Sequence, residues 1–196
     1  MSDLIEHFFL FSPPAAQPEA GLRLSGDHAT LHIPPVSSFT ELVQVYGEGL
    51  GQEGYFGNSL DSFQDCLKDS KSFWSIQPAT LEVVHQALPN LPESHLEAYI
   101  SMLIQMVIRY STHAQHNEQL DPQQLREELR QNFPSMSEAQ VEFYISPIPT
   151  TTFRVHFPAH TRGVLQQVLE GLQHDVQHEL TYWKSKGFTL PSRFTD

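Results

Sequence analysis

The chain is poor in several residue types, and each shortage excludes a class of protein. It has one cysteine among 196 residues, so it forms no internal disulfide. Lysine and arginine number 11 against 23 aspartates and glutamates, which gives a net charge of −12. Direct binding to RNA or DNA is not expected, because contacts with phosphates need a surplus of cations. The composition instead favours a basic protein as the partner.

Segments that target or span membranes are also lacking. No stretch approaches the roughly 20 apolar residues that cross a bilayer. The first residues, Met1 to Glu6, carry acids where a secretory signal carries basic residues, and the apolar run from Phe8 to Phe11 is short. We therefore expect no membrane association and, with the single cysteine, a reducing cytoplasmic location.

The sequence lacks the short motifs that mark common enzyme classes. It contains no Gly-x-Ser-x-Gly nucleophile elbow, no Gly-x-x-x-x-Gly-Lys phosphate loop and no dinucleotide fingerprint after a strand. Cys66 falls near the apolar side of a predicted helix, which indicates a small buried residue rather than a nucleophile. We expect a protein that is not an enzyme and needs no cofactor.

Histidine is the strongest competing signal, with eleven in the chain. His174 and His178 are four apart with Glu179 adjacent, a spacing that can place two imidazoles on one metal ion. The segment His-Asp-Val-Gln-His lacks the glutamate that follows the first histidine in zinc-protease helices, and the sequence indicates no third metal ligand. Similar near-pairs are His28 with His32, His113 with His116, and His156 with His160. So many near-pairs make chance spacing the simpler explanation, and we expect no metal site.

The most informative segment is a glycine-bounded aromatic loop followed by an acidic helix. Tyr55 and Phe56 lie between Gly54 and Gly57, where the backbone can adopt turn conformations. The next residues are apolar at helical spacing on one face, namely Leu60, Phe63 and Leu67, and acidic on another, namely Asp61, Asp65 and Asp69. We call the three aspartates the acidic stripe. Like charges four apart weaken a helix by about 0.2–0.5 kcal/mol per pair, so local stability does not explain the stripe.

Several explanations of the acidic stripe remain open at this point. A cationic partner would match carboxylates at fixed spacing, and complementary fields speed encounter. A solvated polar face is the plain alternative, because Lys68 and Lys71 partly neutralise the stripe. Tyr55 and Phe56 favour a partner if their rings are exposed, but the rings could also pack beneath the helix as a staple. A carboxylate pair for acid–base chemistry or a divalent ion is less favoured, since such a pair belongs in a cleft.

The order Tyr-Phe-Gly-Asn-x-Leu-Asp-x-Phe-x-Asp-Cys-Leu, which runs from Tyr55 to Leu67, resembles the signature of the barstar family. Members of that family are intracellular inhibitors of a partner ribonuclease. The resemblance implies that an aromatic residue and two aspartates one turn apart enter the basic active site and replace RNA base and phosphates. The family usually has Asn at the position of Ser59 and often a bulky group at that of Gln64. The partner-binding residues assigned in this way are Tyr55, Phe56, Gly57, Asn58, Asp61, Gln64 and Asp65, with Glu53 and Asp69 extending the acidic rim.

The resemblance leads to a functional hypothesis and an alternative. The hypothesis is an immunity or antitoxin protein that inhibits a toxic nuclease, most simply a ribonuclease, through the acidic helix and aromatic loop. The partner would then be a basic toxin, without direct binding of nucleic acid. The alternative is a barstar-like interaction module that neutralises a non-nuclease toxin or uses its C-terminal half as the interface.

The predicted fold is α/β, a small parallel β-sheet flanked by helices, barstar-like, with an inserted segment and an added C-terminal helix. His28 to Ile33 alternates as a strand, and Ser38 with Glu41 forms a capping box that begins a helix. The predicted organisation is an N-terminal extension at 1–27, a barstar-like core at 28–160 with an insertion at about 111–150, and a C-terminal amphipathic helix and tail at 161–196 packed on the same domain.

The other elements are predicted from apolar periodicity. Strands are predicted at 6–11, 73–76, 141–145 and 151–157; helices at 79–88, 93–110 and 162–186 and from Asp121 onward; and a polar loop at 111–120. Gly187 is predicted to end the last helix. The helix at 93–110 is apolar on nearly every side, which predicts that other elements surround it.

Overall fold

The computed structural model describes residues 4–12, 20–51, 56–57 and 59–190. Its strands are β1 (Phe9–Ser12), β2 (Gly21–Ser25), β3 (His28–Ile33), β4 (Thr80–His85) and β5 (Thr152–Pro158). They form one sheet in the order β1-β5-β4-β3-β2. All neighbours are parallel except β2, which is antiparallel to β3. The predicted α/β fold with a small parallel sheet is confirmed, with β2 as an antiparallel strand at its edge.

Three helices in the described part of the first half, at 39–50, 60–68 and 93–119, lie where the sequence predicted helices. The helices of the described residues are α1 (Leu4–Phe8), α2 (Phe39–Leu50), α3 (Leu60–Lys68), α4 (Ser70–Phe73), α5 (Glu93–Gln119), α6 (Pro122–Asn132), α7 (Glu138–Ile145), α8 (Arg162–Gly171) and α9 (Gln173–Ser185). A 3₁₀ turn at Ala159–Thr161 connects β5 to α8. None of the helices in these ranges is long and apolar enough to cross a membrane.

The sheet has one face in the hydrophobic core. Side chains on this face alternate along the strands, as the pleat requires, and include Ala29, Leu31, Ile33, Leu81, Val83, Phe153, Val155 and Phe157. On the other face Glu82 lies 3.5 Å from both His28 Nε2 and Arg154 Nη1. The core side is covered chiefly by α2 and α5, and α5 is surrounded as its apolar sequence predicted.

Helix α2 begins where the sequence predicted. The Ser38 hydroxyl accepts a hydrogen bond from the backbone N–H of Glu41 at 3.2 Å. The Glu41 carboxylate reaches back and accepts from the backbone N–H of Ser37 at 2.7 Å. The Ser38 cap satisfies one N–H group that the helix start leaves unpaired, while the Glu41 carboxylate binds the residue before the cap rather than the backbone of Ser38 itself.

A buried hydrogen-bond chain links the sheet to α5 and α2. His85 Nδ1 lies 3.1 Å from the carbonyl oxygen of His156, which can only accept, so Nδ1 carries the proton. His85 Nε2 then accepts from the Tyr99 hydroxyl at 2.7 Å, which in turn accepts from the Tyr46 hydroxyl at 2.8 Å. Burial lowers the pKa of His85 to about 3 and raises the pKa of both tyrosines. All three side chains therefore stay neutral and paired, as buried polar groups must.

Two predictions between α3 and α5 are wrong. The segment predicted as a strand at 73–76 contains the end of α4 and a single β-bridge from Trp74 to Gly51. The segment predicted as a helix at 79–88 is strand β4. The buried positions of β4 are Leu81, Val83 and His85. Their two-residue period is that of a strand, and pairing with β3 and β5 on both sides satisfies its backbone.

Residues 111–120, predicted as a polar loop, instead continue α5 as far as Gln119. Polar side chains in this part of α5 bind the backbone of other segments. Asn117 donates to the carbonyl oxygen of Ile148 and accepts from the N–H of Ile148, both at 2.8 Å. A polar composition here reflects contacts with distant loops rather than a break in the helix.

Residues 141–145, predicted as a strand, form the second half of α7. A capping box between Ser137 and Gln140 begins this helix. Helix α6 begins at the predicted Asp121-Pro122 pair, where the Asp121 carboxylate accepts from the N–H groups of Gln123 and Gln124. The strand predicted at 151–157 is confirmed as β5.

The two ends of the chain depart from prediction in detail. The predicted edge strand at 6–11 begins only at Phe9, because the preceding turn is helical and buries Ile5 and Phe8. The single helix predicted at 162–186 is divided at Leu172 into α8 and α9. The division keeps five side chains in the shared core: Leu165, Leu169, Leu172, Val176 and Leu180. Gly187 ends α9 as predicted, with a positive φ of 84°.

Candidate partner-binding surface

The entry to α3 is a tightly packed turn. A Cβ at Gly57 would lie 2.4 Å from Ser62 Oγ and 2.6 Å from the Ser62 carbonyl carbon, so only glycine fits without displacement. The Ser59 hydroxyl accepts from the N–H of Ser62 at 3.2 Å, and Ser62 Oγ accepts from the N–H of Ser59 at 3.0 Å. The serine pair is a capping box that holds the turn against the helix.

Phe56 is part of the core. Its ring is 8 % exposed and packs on Phe63 at 5.6 Å and on Tyr46 at 6.4 Å between ring centroids. Of the two positions considered for this ring, the one beneath the helix is the one observed. Tyr55, Glu53 and Asn58, which the sequence also assigned to partner binding, lie outside the described residues.

Helix α3 separates an apolar side from an acidic side, as its spacing predicted. Phe63, Cys66 and Leu67 are buried, whereas Asp61 and Asp65 are exposed. Asp61 and Asp65 form no ion pair with any described residue. Asp69 is half-buried, and its carboxylate accepts from the N–H of Ser72 at 3.1 Å to cap α4. The acidic stripe therefore has two free carboxylates and one that the fold already uses.

Neither of the two lysines that could neutralise the stripe forms an ion pair with it, although Asp65 acts on the charge of Lys68 and Asp69 on that of Lys71. Lys71 Nζ donates to the carbonyl oxygen of Ser146 at 2.7 Å and lies 4.7 Å from the ring centroid of Phe143. Lys68 is half-buried, and burial lowers its pKa. The solvated-face explanation is weakened, because neither lysine forms an ion pair with the stripe.

The buried side of α3 is anchored by side chains from several elements. The indole of Trp74 donates to the carbonyl oxygen of Cys66 at 3.0 Å, and the Tyr110 hydroxyl donates to that of Leu67 at 3.2 Å. These bonds satisfy carbonyl groups that a helix end leaves unpaired. Cys66 is buried, as predicted, and burial raises the pKa of its thiol.

Gln64 extends the surface to α5. Its Nε2 donates to Oε1 of Gln105 at 2.9 Å, and Gln105 Nε2 lies 3.4 Å from Ser101 Oγ. Sequence reasoning missed Gln105 and Ser101. The available signal was a pair of polar residues four apart in an otherwise apolar helix, which marks a half-exposed strip.

Metal binding finds no support in the described part of the chain. No group of three or more histidine, cysteine, aspartate or glutamate side chains there is placed to hold a metal ion. His174, one of the suspected pair, is exposed and lies 3.6 Å from Asp175 of the same helix.

The fold and this surface together define a small α/β protein that presents a rigidly held acidic helix. Residues 27–136 match the protein family described as Barstar (barnase inhibitor). The match covers more than half of the chain, which therefore belongs to the Barstar family. Proteins of this family are ribonuclease inhibitors, not enzymes. No curated protein and no solved structure matches the chain.

Proposed function

We propose that this protein is an immunity or antitoxin protein that binds and inhibits a toxic ribonuclease by covering its basic active site with α3 and the loop before it. The observation that carries the proposal is the pair Asp61 and Asp65: exposed, one turn apart, without an ion pair to any described residue, and fixed by the capping box and core contacts of α3. Family membership supplies the class of target.

The acidic pair suits an ionic interface for two physical reasons. Side chains four apart on a helix are neighbours, about 5–6 Å between Cβ atoms, so one basic cleft can receive both carboxylates. The helix is already ordered in the free protein, so little conformational entropy remains to be lost on binding. A chain with net charge −12 also attracts a basic enzyme from a distance.

The other assigned residues take different roles in this proposal. Tyr55 provides the ring that replaces an RNA base, and Phe56 holds the loop to the core. Gly57 allows the close turn, and Gln64 joins the surface to α5. Glu53, Asn58 and Asp69 lie at the rim.

The cellular setting is part of the same proposal. A toxin that degrades RNA must be inhibited where RNA is made and translated, which is the cytoplasm. The one cysteine is buried and unpaired, consistent with a reducing compartment.

The proposal is tested by capture of the partner from cells of the native host. The tagged chain should retain a basic ribonuclease, and purified chain should abolish RNA cleavage by that enzyme at a one-to-one ratio. The Asp61→Ala and Asp65→Ala double variant should neither retain nor inhibit it. Glu127→Ala, which removes an exposed acid of α6, is the matched control and should behave as the unaltered chain.

Two results would contradict the proposal. A captured toxin without nuclease activity would favour the non-nuclease alternative. Full inhibition by the double variant would move the interface away from α3, in which case the C-terminal half is the next surface to examine.

A further inference from the structure

Two exposed aromatic rings lie next to each other on α7. Phe143 is 39 % exposed and Tyr144 is 55 % exposed. The rings meet edge-on, with 5.5 Å between their centroids, and we call them the α7 aromatic pair. Single exposed apolar residues are ordinary on protein surfaces, whereas contiguous exposed apolar patches mark contacts with partners.

The packing of α7 on the rest of the protein does not depend on the α7 aromatic pair. The buried residues of this helix are Val141 and Ile145. They are four apart and therefore share one side of the helix, which faces inward. The two rings are not part of that inward side, so the fold leaves them accessible to a partner.

Helix α7 is held by its neighbours at both ends. Arg126 of α6 forms ion pairs with Glu138 and Glu142 of α7. At the other end, the carbonyl oxygen of Ser146, which follows α7, accepts a hydrogen bond from Lys71 of α4 at 2.7 Å. Rings on a helix that is fixed in this way lose little conformational freedom when a partner covers them.

The α7 aromatic pair is continuous with the acidic stripe through α4. Asp69, the last aspartate of the stripe, caps α4, and Lys71 follows two residues later. Lys71 Nζ lies 4.7 Å from the ring centroid of Phe143. Burial lowers the pKa of Lys71, and the nearby Asp69 opposes this effect. The exposed sides of α3, α4 and α7 therefore form one surface, which extends from Asp61 to Tyr144.

The acidic stripe is small for a stable complex. A specific interface takes about 800 Å² and roughly 20–30 residues from each partner. Helix α3 has nine residues, and its buried side faces the core. Even with the loop before it, α3 falls short of that number, so adjoining elements must complete the interface. Aromatic side chains commonly carry much of the binding energy in such interfaces, and α7 presents a pair of them beside α4.

We propose that the α7 aromatic pair is a second contact for the ribonuclease that the acidic stripe binds, an inference that rests on the proposed function. Arginine and lysine side chains of the enzyme pack on the exposed rings, while others pair with Asp61 and Asp65. Ring faces attract these cations, more strongly where water is excluded, so a basic enzyme suits both parts of the surface. The stripe speeds and orients the encounter, and the α7 aromatic pair slows dissociation.

The test measures the binding kinetics of full-length variants with the ribonuclease captured from the host. The double variant Phe143→Ala and Tyr144→Ala should raise the dissociation rate constant by at least about tenfold and change the association rate constant much less. Tyr144→Phe keeps the ring and should bind as the unaltered chain does. Leu10→Ala is the control, because Leu10 is an exposed apolar residue of β1 on the sheet face opposite the core, and it should leave both rate constants unchanged.

Hydroxyl-radical footprinting of the unaltered chain gives a second measurement that needs no substitution. The rings of Phe143 and Tyr144 should lose reactivity in the complex, whereas Leu10 should keep the reactivity that it has in the free chain. Circular dichroism checks that each variant is folded. If the double variant does not fold, the footprint decides the question.

Three results would overturn the inference. Unaltered dissociation of the double variant, with both rings still reactive in the complex, would exclude α7 from the interface; the proposed function would stand as long as the Asp61→Ala and Asp65→Ala double variant fails to inhibit. Failure to capture any ribonuclease would overturn the proposed function and this inference with it. Protection of the rings in the chain alone, rising with its concentration, would assign α7 to contact with a second copy.

Discussion

The acidic side of α3 and the cavity between the second half of α5, α6 and α9 differ in shape, charge and construction. The first is convex and negative, with two carboxylates exposed to solvent. The second is concave and mixed in charge, because Arg109 and Lys186 share its lining with Asp121 and Glu128. They come together near the C-terminal end of α3, where Asp69 acts on the pKa of His113. A basic protein suits the first surface.

The two regions also differ in what holds them together. The acidic surface belongs to one helix, whose turn, caps and buried face lie within about a dozen residues of each other in the chain. The walls of the cavity come from segments that are far apart in the chain, and pairs such as Gln115 with Thr189 join them. The residues of the acidic surface can therefore be predicted from the sequence, whereas the residues that line the cavity meet only in the folded chain.

The largest expected effect comes from removing the anchor of the acidic surface. Phe63 is fully buried and contacts the rings of Phe39, Tyr46, Phe56 and Tyr99. Phe63→Ala should lower the free energy of unfolding by about 3–5 kcal/mol, from lost burial and the cavity left behind. Urea denaturation measures this change.

Phe133→Ala is the control for that experiment, because this ring is 54 % exposed. It should change stability by no more than about 0.5 kcal/mol. Equal effects of the two substitutions would mean that α3 does not depend on its buried face.

Asp65→Ala tests the same helix from its exposed side. Because the carboxylate contacts no described cation, stability should change by no more than about 0.5 kcal/mol. Binding to the captured ribonuclease should weaken by about 2–5 kcal/mol, as when one member of a buried charge pair is removed. Calorimetry of the complex and denaturation of the free chain give the two numbers. A large loss of stability with unchanged binding would mean that Asp65 stabilises the fold and does not contact the partner.

Acid should destabilise the protein through His85 and His113. The pKa values of both lie below the usual 6.5, at about 3 and about 4. Below pH 6.5 the unfolded chain binds protons that the folded chain does not, so the contribution to stability is complete above that pH and is lost as the pH falls toward the folded values. Each histidine should lower the free energy of unfolding by about 1.4 kcal/mol per pH unit in this range.

Replacing His113 alone separates its contribution to this pH dependence from that of His85. In His113→Asn the slope between about pH 6.5 and about pH 5 should decrease by about 1.4 kcal/mol per pH unit, leaving the part due to His85. Denaturation curves at several pH values measure the slope. An unchanged slope would mean that His113 is protonated in the folded protein.

Gln115→Ala should have the smallest effect. It removes two hydrogen bonds to the backbone of Thr189, each worth about 0.5–1.5 kcal/mol. The segment after α9 should loosen locally, which faster hydrogen exchange at the Thr189 amide would report. Gln123→Ala, an exposed change in α6, should leave that exchange rate unaltered.

Several elements were predictable because their determinants are local. Ser38 with Glu41, Asp121 with Pro122, and Gly187 each specify a helix end through atoms a few residues apart. The spacing of Phe63 and Leu67 likewise identified the buried side of α3. Strand β4 was missed because a short apolar run is compatible with either a helix or a strand. Only its pairing with β3 and β5 decides that it is a strand.

The sequence by itself determined the two sides of α3 and several helix ends, since caps and periodicity act within a few residues. The family and the α/β class followed from the resemblance of the segment Tyr55 to Leu67 to the barstar signature. Tertiary structure alone decided that Phe56 lies inward, that Lys71 bonds to the carbonyl oxygen of Ser146 rather than to the acidic stripe, and that the polar end of α5 is helical. These outcomes depend on which distant groups meet. The side chains of Gln115 and Asn117 bind backbone groups 74 and 31 residues away in the chain. No local sequence pattern encodes a contact at that separation.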